Sequence, residues 1–107
     1  MTAADSPAAA HPLRPSVALD RRRAEAAAVV RRHGGHDAVV FGSVARGTDA
    51  PGSDLDLMVA FEGGRDIVDL LALQAELEEL LAVPVDVVSA GSTGPVADRA
   101  RSEAIPL

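Results

Sequence analysis

Phe41 to Val59, FGSVARGTDAPGSDLDLMV, joins a Gly-Ser pair to two aspartates one residue apart, with ten residues between Ser43 and Asp54. Just ahead, Asp37 to Phe41 carries the apolar run Ala38, Val39, Val40, Phe41, which predicts a short buried strand stopped by Gly42. Ser43 to Arg46 has the length of one helical turn, and Gly47, Pro51 and Gly52 mark the following bridge as turns. Asp54 to Phe61 then alternates. Leu55, Leu57, Val59 and Phe61 fall on one face of a second strand, and Asp54, Asp56 and Met58 on the other.

Outward from this stretch the chain keeps alternating helix and strand. Residues 1–15 are rich in Ala, Pro and small polar residues without period, so the reading is a disordered arm followed by one domain over residues 16–107. Ser16 is placed to cap a first helix that runs through Val30, with Arg31, Arg32 and His33 at its C-terminal end before Gly34 and Gly35. Arg21, Arg22 and Arg23 read as its solvated face. Downstream, Asp66 reads as the N-cap of a second helix whose apolar stripe is Ile67, Leu70, Leu71, Gln74, Leu77 and Leu81, widened by Leu73 and Leu80. Glu76, Glu78 and Glu79 form its wet side. Pro84 ends that helix, Val85 to Val88 predicts a third strand with Asp86 among valines, and Val96 to Ala104 a weakly periodic last helix before Ile105, Pro106 and Leu107. The fold class is therefore α+β, in α/β layers: a small mixed sheet of at least three strands flanked by helices.

Composition removes several chemistries. At 107 residues the chain holds one core and no second substrate-binding domain of ordinary size. Phe41 and Phe61 are the only aromatics and the formal net charge is −6, which argues against a nucleic-acid-binding surface. All ten basic residues are arginine, so no Walker lysine or Schiff-base nucleophile exists, and without cysteine there is no thiolate or Cys-based zinc chemistry. No run is apolar for long enough to span a bilayer, and the reading is a cytoplasmic protein. His11, His33 and His36 show no metal spacing and read as arm, capping or solvent-exposed residues.

What remains is oxygen chemistry. Residues two apart on a strand stand roughly 6.5 to 7 Å apart on one side, so Asp54 and Asp56 can face one cation from two directions. If the third strand pairs beside the second, Asp86 joins them, because neighbouring strands lie about 4.8 Å apart. Such carboxylates repel one another and call for a positive ion, and an oxygen-only donor set suits Mg²⁺ or Mn²⁺. Gly42 lets the backbone approach a phosphate, Ser43 adds a hydroxyl and an N–H, and Arg46 one turn later can reach the same group. Taken singly, an alternating strand carries an Asp-any-Asp pair by chance, and Ser43 can be an ordinary cap.

Together the halves are more specific. Gly-Ser directly after an apolar strand, followed by Asp-Leu-Asp-Leu heading the next, resembles the signature of the polymerase-β-type nucleotidyltransferase superfamily, and FGSVARG with SDLDLMV resembles the minimal nucleotidyltransferase (MNT) proteins, many of them antitoxins encoded beside HEPN-domain toxins. The resemblance runs from the first helix to the closing IPL. It implies the nucleotidyltransferase fold, with Gly42 and Ser43 at the nucleotide phosphates, Arg46 and Ser53 at further nucleotide-binding positions, and Asp54, Asp56 and Asp86 as catalytic metal ligands, Asp86 also activating the attacking hydroxyl. The implied reaction is transfer of AMP from ATP to a tyrosine of a partner HEPN toxin. An antitoxin that acts by binding alone, and a transferase with a small-molecule acceptor such as an aminoglycoside, are the competing expectations.

Overall fold

The computed structural model describes residues 13–63 and 67–107. The elements follow in the order α1 (Pro15–Arg21), α2 (Arg23–Arg32), β1 (Gly35–Phe41), α3 (Gly42–Arg46), β2 (Leu55–Phe61), α4 (Ile67–Leu81), β3 (Val85–Ser89), α5 (Pro95–Glu103) and β4 (Ile105–Pro106). The expected cap Asp66, most of the expected arm and His11 lie outside the described residues.

The four strands form one mixed sheet in the order β3-β2-β1-β4. β2 is antiparallel to β1 and parallel to β3, and β4 is antiparallel to β1. The α/β layering with a small mixed sheet is thus as expected, while β4 was not expected. Two residues carry no readable period, and Pro106 is admissible because β4 is an edge.

Both faces of the sheet are covered, which explains the burial of β2. Leu55, Leu57 and Val59 are buried under α1, α2 and α4 with Leu19, Val29, Val30, Leu73 and Leu77. Met58, on the opposite face, is buried with Phe41, Ala97 and Ala100, because α5 lies there. That second layer is thin: its helix contributes only alanines. The aspartates share this face with Met58 and open beyond it.

The helices differ from expectation in three ways. The first helix is broken at Arg22 (φ −134°, ψ 30°) into α1 and α2, at a point that no glycine or proline marks. On α4 the buried side is Leu73, Leu77 and Leu81, whereas Ile67, Val68 and Leu71 in its first turns are exposed. Gln74 and Glu78 instead face the edge of β3, where Gln74 Oε1 accepts from the Val87 N–H at 3.0 Å and Glu78 Oε2 from that of Val85 at 3.0 Å. Glu76 pairs with Arg32, and its Oε1 lies 2.8 Å from His33 Nε2, so that side of α4 grips α2. Arg23, expected to be wet, donates to the Leu107 carbonyl at 2.6 Å and ties the last residue down.

Ser16 does not cap α1. Pro15 occupies the first turn, buried, and the capping oxygen arrives from afar: Asp49 Oδ2 accepts the Ser16 N–H at 2.9 Å while Oδ1 takes Arg14 at 3.2 Å. Asp49 is 5% exposed. Its burial alone would raise its pKa, but hydrogen bonds from Ser16 and Arg14 and the Arg14 charge hold the carboxyl below its usual range. The loop after α3 is thereby fastened to α1.

A depressed folded-state pKa contributes stability above the unfolded value near 3.8 and loses it as pH falls through the folded value. Asp49→Asn should therefore cost about 1–3 kcal/mol at neutral pH. In urea titrations across pH, the gap from wild type should stay constant above about pH 5 and shrink below about pH 4.

Candidate active site

Gly42 is where the strand turns into the short helix, and both its backbone conformation and its surroundings penalise any other residue. Its φ is +72°, and a Cβ at that position would collide with Oδ2 of Asp56. Phe41 pairs with Asp56 across the antiparallel ladder, so the end of β1 and the start of β2 meet here. Gly47, also left-handed at φ +76°, ends α3. The chain then returns through a turn in which the Ser53 Oγ accepts the Ala50 N–H at 3.0 Å.

This arrangement opens a cleft of about 560 Å³. Gly42, Ser43, Arg46, Ser53, Asp54 and Asp56 all line it, so the two halves read from the sequence meet on one wall. Asp54 is exposed just ahead of β2, and Asp56 is half-buried on it. Asp86 sits opposite Asp56 in the parallel β2–β3 register, as the strand pairing required, but it does not line the cleft.

The opposite wall is α5, which the sequence reading left without a role. Pro95, Val96, Arg99 and Glu103 line the cleft from that side. Glu103 Oε1 accepts the Gly42 N–H at 2.9 Å, and both its oxygens lie 3.1 Å from the same Arg46 guanidinium nitrogen. Burial would raise its pKa, yet the Gly42 N–H, Arg46 and Arg99 hold it below the usual carboxylate range. Glu103 therefore stays an anion. The signal that could have found it was the i, i+4 spacing of Arg99 and Glu103, but the helix they occupy had almost no period.

Asp56 goes the other way. Burial first, then the charges of Asp86 and Asp54, push it up to about 6, with Arg46 opposing and Glu103 adding to the push. Among the described residues no group of three or more acidic, His or Cys side chains is gathered closely enough to hold a metal ion. The chemistry of the donors nevertheless fits a hard divalent cation. All are carboxylate oxygens, their mutual repulsion is only partly offset by Arg46, and Mg²⁺ is commonly held by one or two carboxylates with the remaining positions filled by phosphates and water.

A strand turning through Gly42 into one helical turn beside an open cleft, with carboxylates on the neighbouring strand, has the parts of a site for phosphoryl or nucleotidyl chemistry. Comparison with known proteins narrows the class. The family model described as nucleotidyltransferase domain matches residues 25–105, and the chain belongs to that family. It is 40% identical, over 74% of its length and 86% of the relative's, to a Methanocaldococcus jannaschii protein named as a candidate protein adenylyltransferase. A solved structure described as a candidate minimal nucleotidyltransferase superposes with a TM-score of 0.75 at 45% identity, covering 86% of this chain and 95% of the other. One chain of a solved structure described as a tri-AMPylated Shewanella oneidensis HEPN toxin in complex with MNT antitoxin shares the fold, with a TM-score of 0.60 at 17% identity over 86% of this chain and 70% of that one. The chain is a nucleotidyltransferase.

Two substitutions test the site's construction. Gly42→Ala should cost at least about 1–3 kcal/mol from backbone strain alone, and less in an Asp56→Ala background where the collision is relieved, which a double-mutant cycle in urea would measure. Asp56 is raised above its unfolded value, so its penalty grows from about pH 4 and is complete above about pH 6. In chelator at pH 7.5, Asp56→Asn should therefore melt above wild type. The gain should be on the order of 1 kcal/mol, since solvent screens a half-buried group, or roughly 4 °C.

Proposed function

We propose that this chain transfers AMP from ATP to a tyrosine hydroxyl of a HEPN-type toxin, silencing it, and so acts as an antitoxin. The observation that carries the reading is the shared wall of the cleft, where Gly42, Ser43 and Arg46 stand beside Asp54 and Asp56. The relative named as a protein adenylyltransferase and the AMPylated toxin held by an MNT antitoxin support the acceptor class.

In this reading the Gly42 and Ser43 end of α3 and Arg46 hold the phosphates, and Ser53 keeps the returning loop against them. Asp54 and Asp56, with Asp86 adjacent, would hold Mg²⁺, or Mn²⁺ in its place, which supplies charge stabilisation at the reacting phosphate. The acceptor oxygen attacks the α-phosphorus, the bond to the bridging oxygen breaks, and pyrophosphate leaves. Asp86, exposed and opposite Asp56 in the β2–β3 register, takes the hydroxyl proton. The toxin supplies the acceptor surface.

The test is incubation of the purified chain and a HEPN-type partner with ATP and Mg²⁺, read by intact mass. Expected is one AMP gained per modified tyrosine and loss of partner ribonuclease activity, with Asp54→Ala and Asp56→Ala each slower by at least about 10²-fold. Neutralisation that persists without nucleotide and in both variants would assign the chain to binding alone. AMP appearing on an aminoglycoside but not on the partner would assign a small-molecule acceptor.

A further inference from the structure

Two of the donors that the nucleotide reading assigns to phosphate are already engaged. The Gly42 N–H and the Arg46 guanidinium both point at one anion, and that anion is the Glu103 carboxylate, 2.9 Å and 3.1 Å away. A guanidinium and a backbone N–H converging on a carboxylate make the contacts that the same groups would make to two phosphate oxygens. Resting on the nucleotide reading above, we propose that Glu103 is a built-in competitor for the phosphate subsite, so that the polyphosphate of the nucleotide enters by displacing it from Gly42 and Arg46.

Three features make the displacement feasible. Glu103 is the last residue of α5, next to the extended Ala104, so it can swing without unwinding the middle of the helix. α5 itself is held to the sheet through Ala97 and Ala100 against Phe41 and Met58, a small apolar contact. Arg99, one turn earlier on the cleft side, is exposed and makes no ion pair among the described residues, so it stands ready as a second guanidinium for the incoming phosphates. The displaced carboxylate leaves Arg46 and Arg99 without an internal acid between them. A nucleoside, which carries no phosphate, has nothing with which to compete.

The experiment is calorimetric titration of wild type, Glu103→Gln and Asp98→Asn with ATP and with adenosine, in Mg²⁺. Asp98→Asn makes the same change in charge on α5 but alters a residue paired with Arg101 outside the cleft. Expected is ATP binding about tenfold tighter in Glu103→Gln, with adenosine affinity unchanged and Asp98→Asn like wild type. Pyrophosphate alone should also move the Gly42 amide resonance in wild type, a readout that needs no variant. ATP affinity equal or weaker in Glu103→Gln would overturn the competitor role and leave the nucleotide reading standing, with Glu103 a brace for Arg46. An equal gain in Asp98→Asn would overturn it as well, reducing the effect to net charge. Failure of wild type and Glu103→Gln alike to bind ATP would sink both readings.

Discussion

Everything in the site depends on the absence of one carbon atom. Gly42 carries no Cβ, and the Asp56 carboxylate occupies the space where it would be. That contact lets the end of β1 turn directly over β2 and brings the N–H of Gly42 and the acid of Asp56 within one small region. A residue with a Cβ there would carry backbone strain and force the Asp56 carboxylate aside. The loop from Gly47 to Asp54 then has to return over a short distance, and it is pinned at Asp49 to α1 and at Ser53 to its own backbone. The cleft is built from tightly fastened loop on one side and lightly fastened helix on the other.

The sequence made the nearer wall legible because its residues are close in the chain and their periods are short. Alternation in β2 placed Leu55, Leu57 and Val59 on one face and Asp56 on the other, and the burial of the three follows that pattern. Pairing of β3 beside β2 put Asp86 opposite Asp56 in register. The far wall was not legible. Glu103 reaches Gly42 across 61 positions, and nothing local to either residue announces the other.

The misread helices share that cause. On α4, apolar residues outnumber what one helix face can bury, so the expected stripe was right at Leu77 and Leu81 and in its widening to Leu73, while Ile67 and Leu71 stayed exposed; packing on β2 and α2 made the choice. Ser16 had the chemistry of a cap, but Asp49 reached the first turn instead. Glu78 and Gln74 looked like a wet residue and a stripe residue, and both became partners of strand backbone. At Asp49, Gln74 and Glu78 a polar side chain answered a backbone group outside its own element. Such demands arise only once the fold exists.

That last pairing bears on how the molecule can associate. The outer N–H groups of Val85 and Val87 belong to an edge strand, and an open edge recruits foreign strands into continuous sheets. Here Glu78 and Gln74 act as bolts across that seam, and the other margin of the sheet is a two-residue strand with a proline. Among the described residues, neither margin offers a long row of free amides. A protein that grips this domain must read its side chains and loops, and copies of the domain are discouraged from zipping together through their sheets.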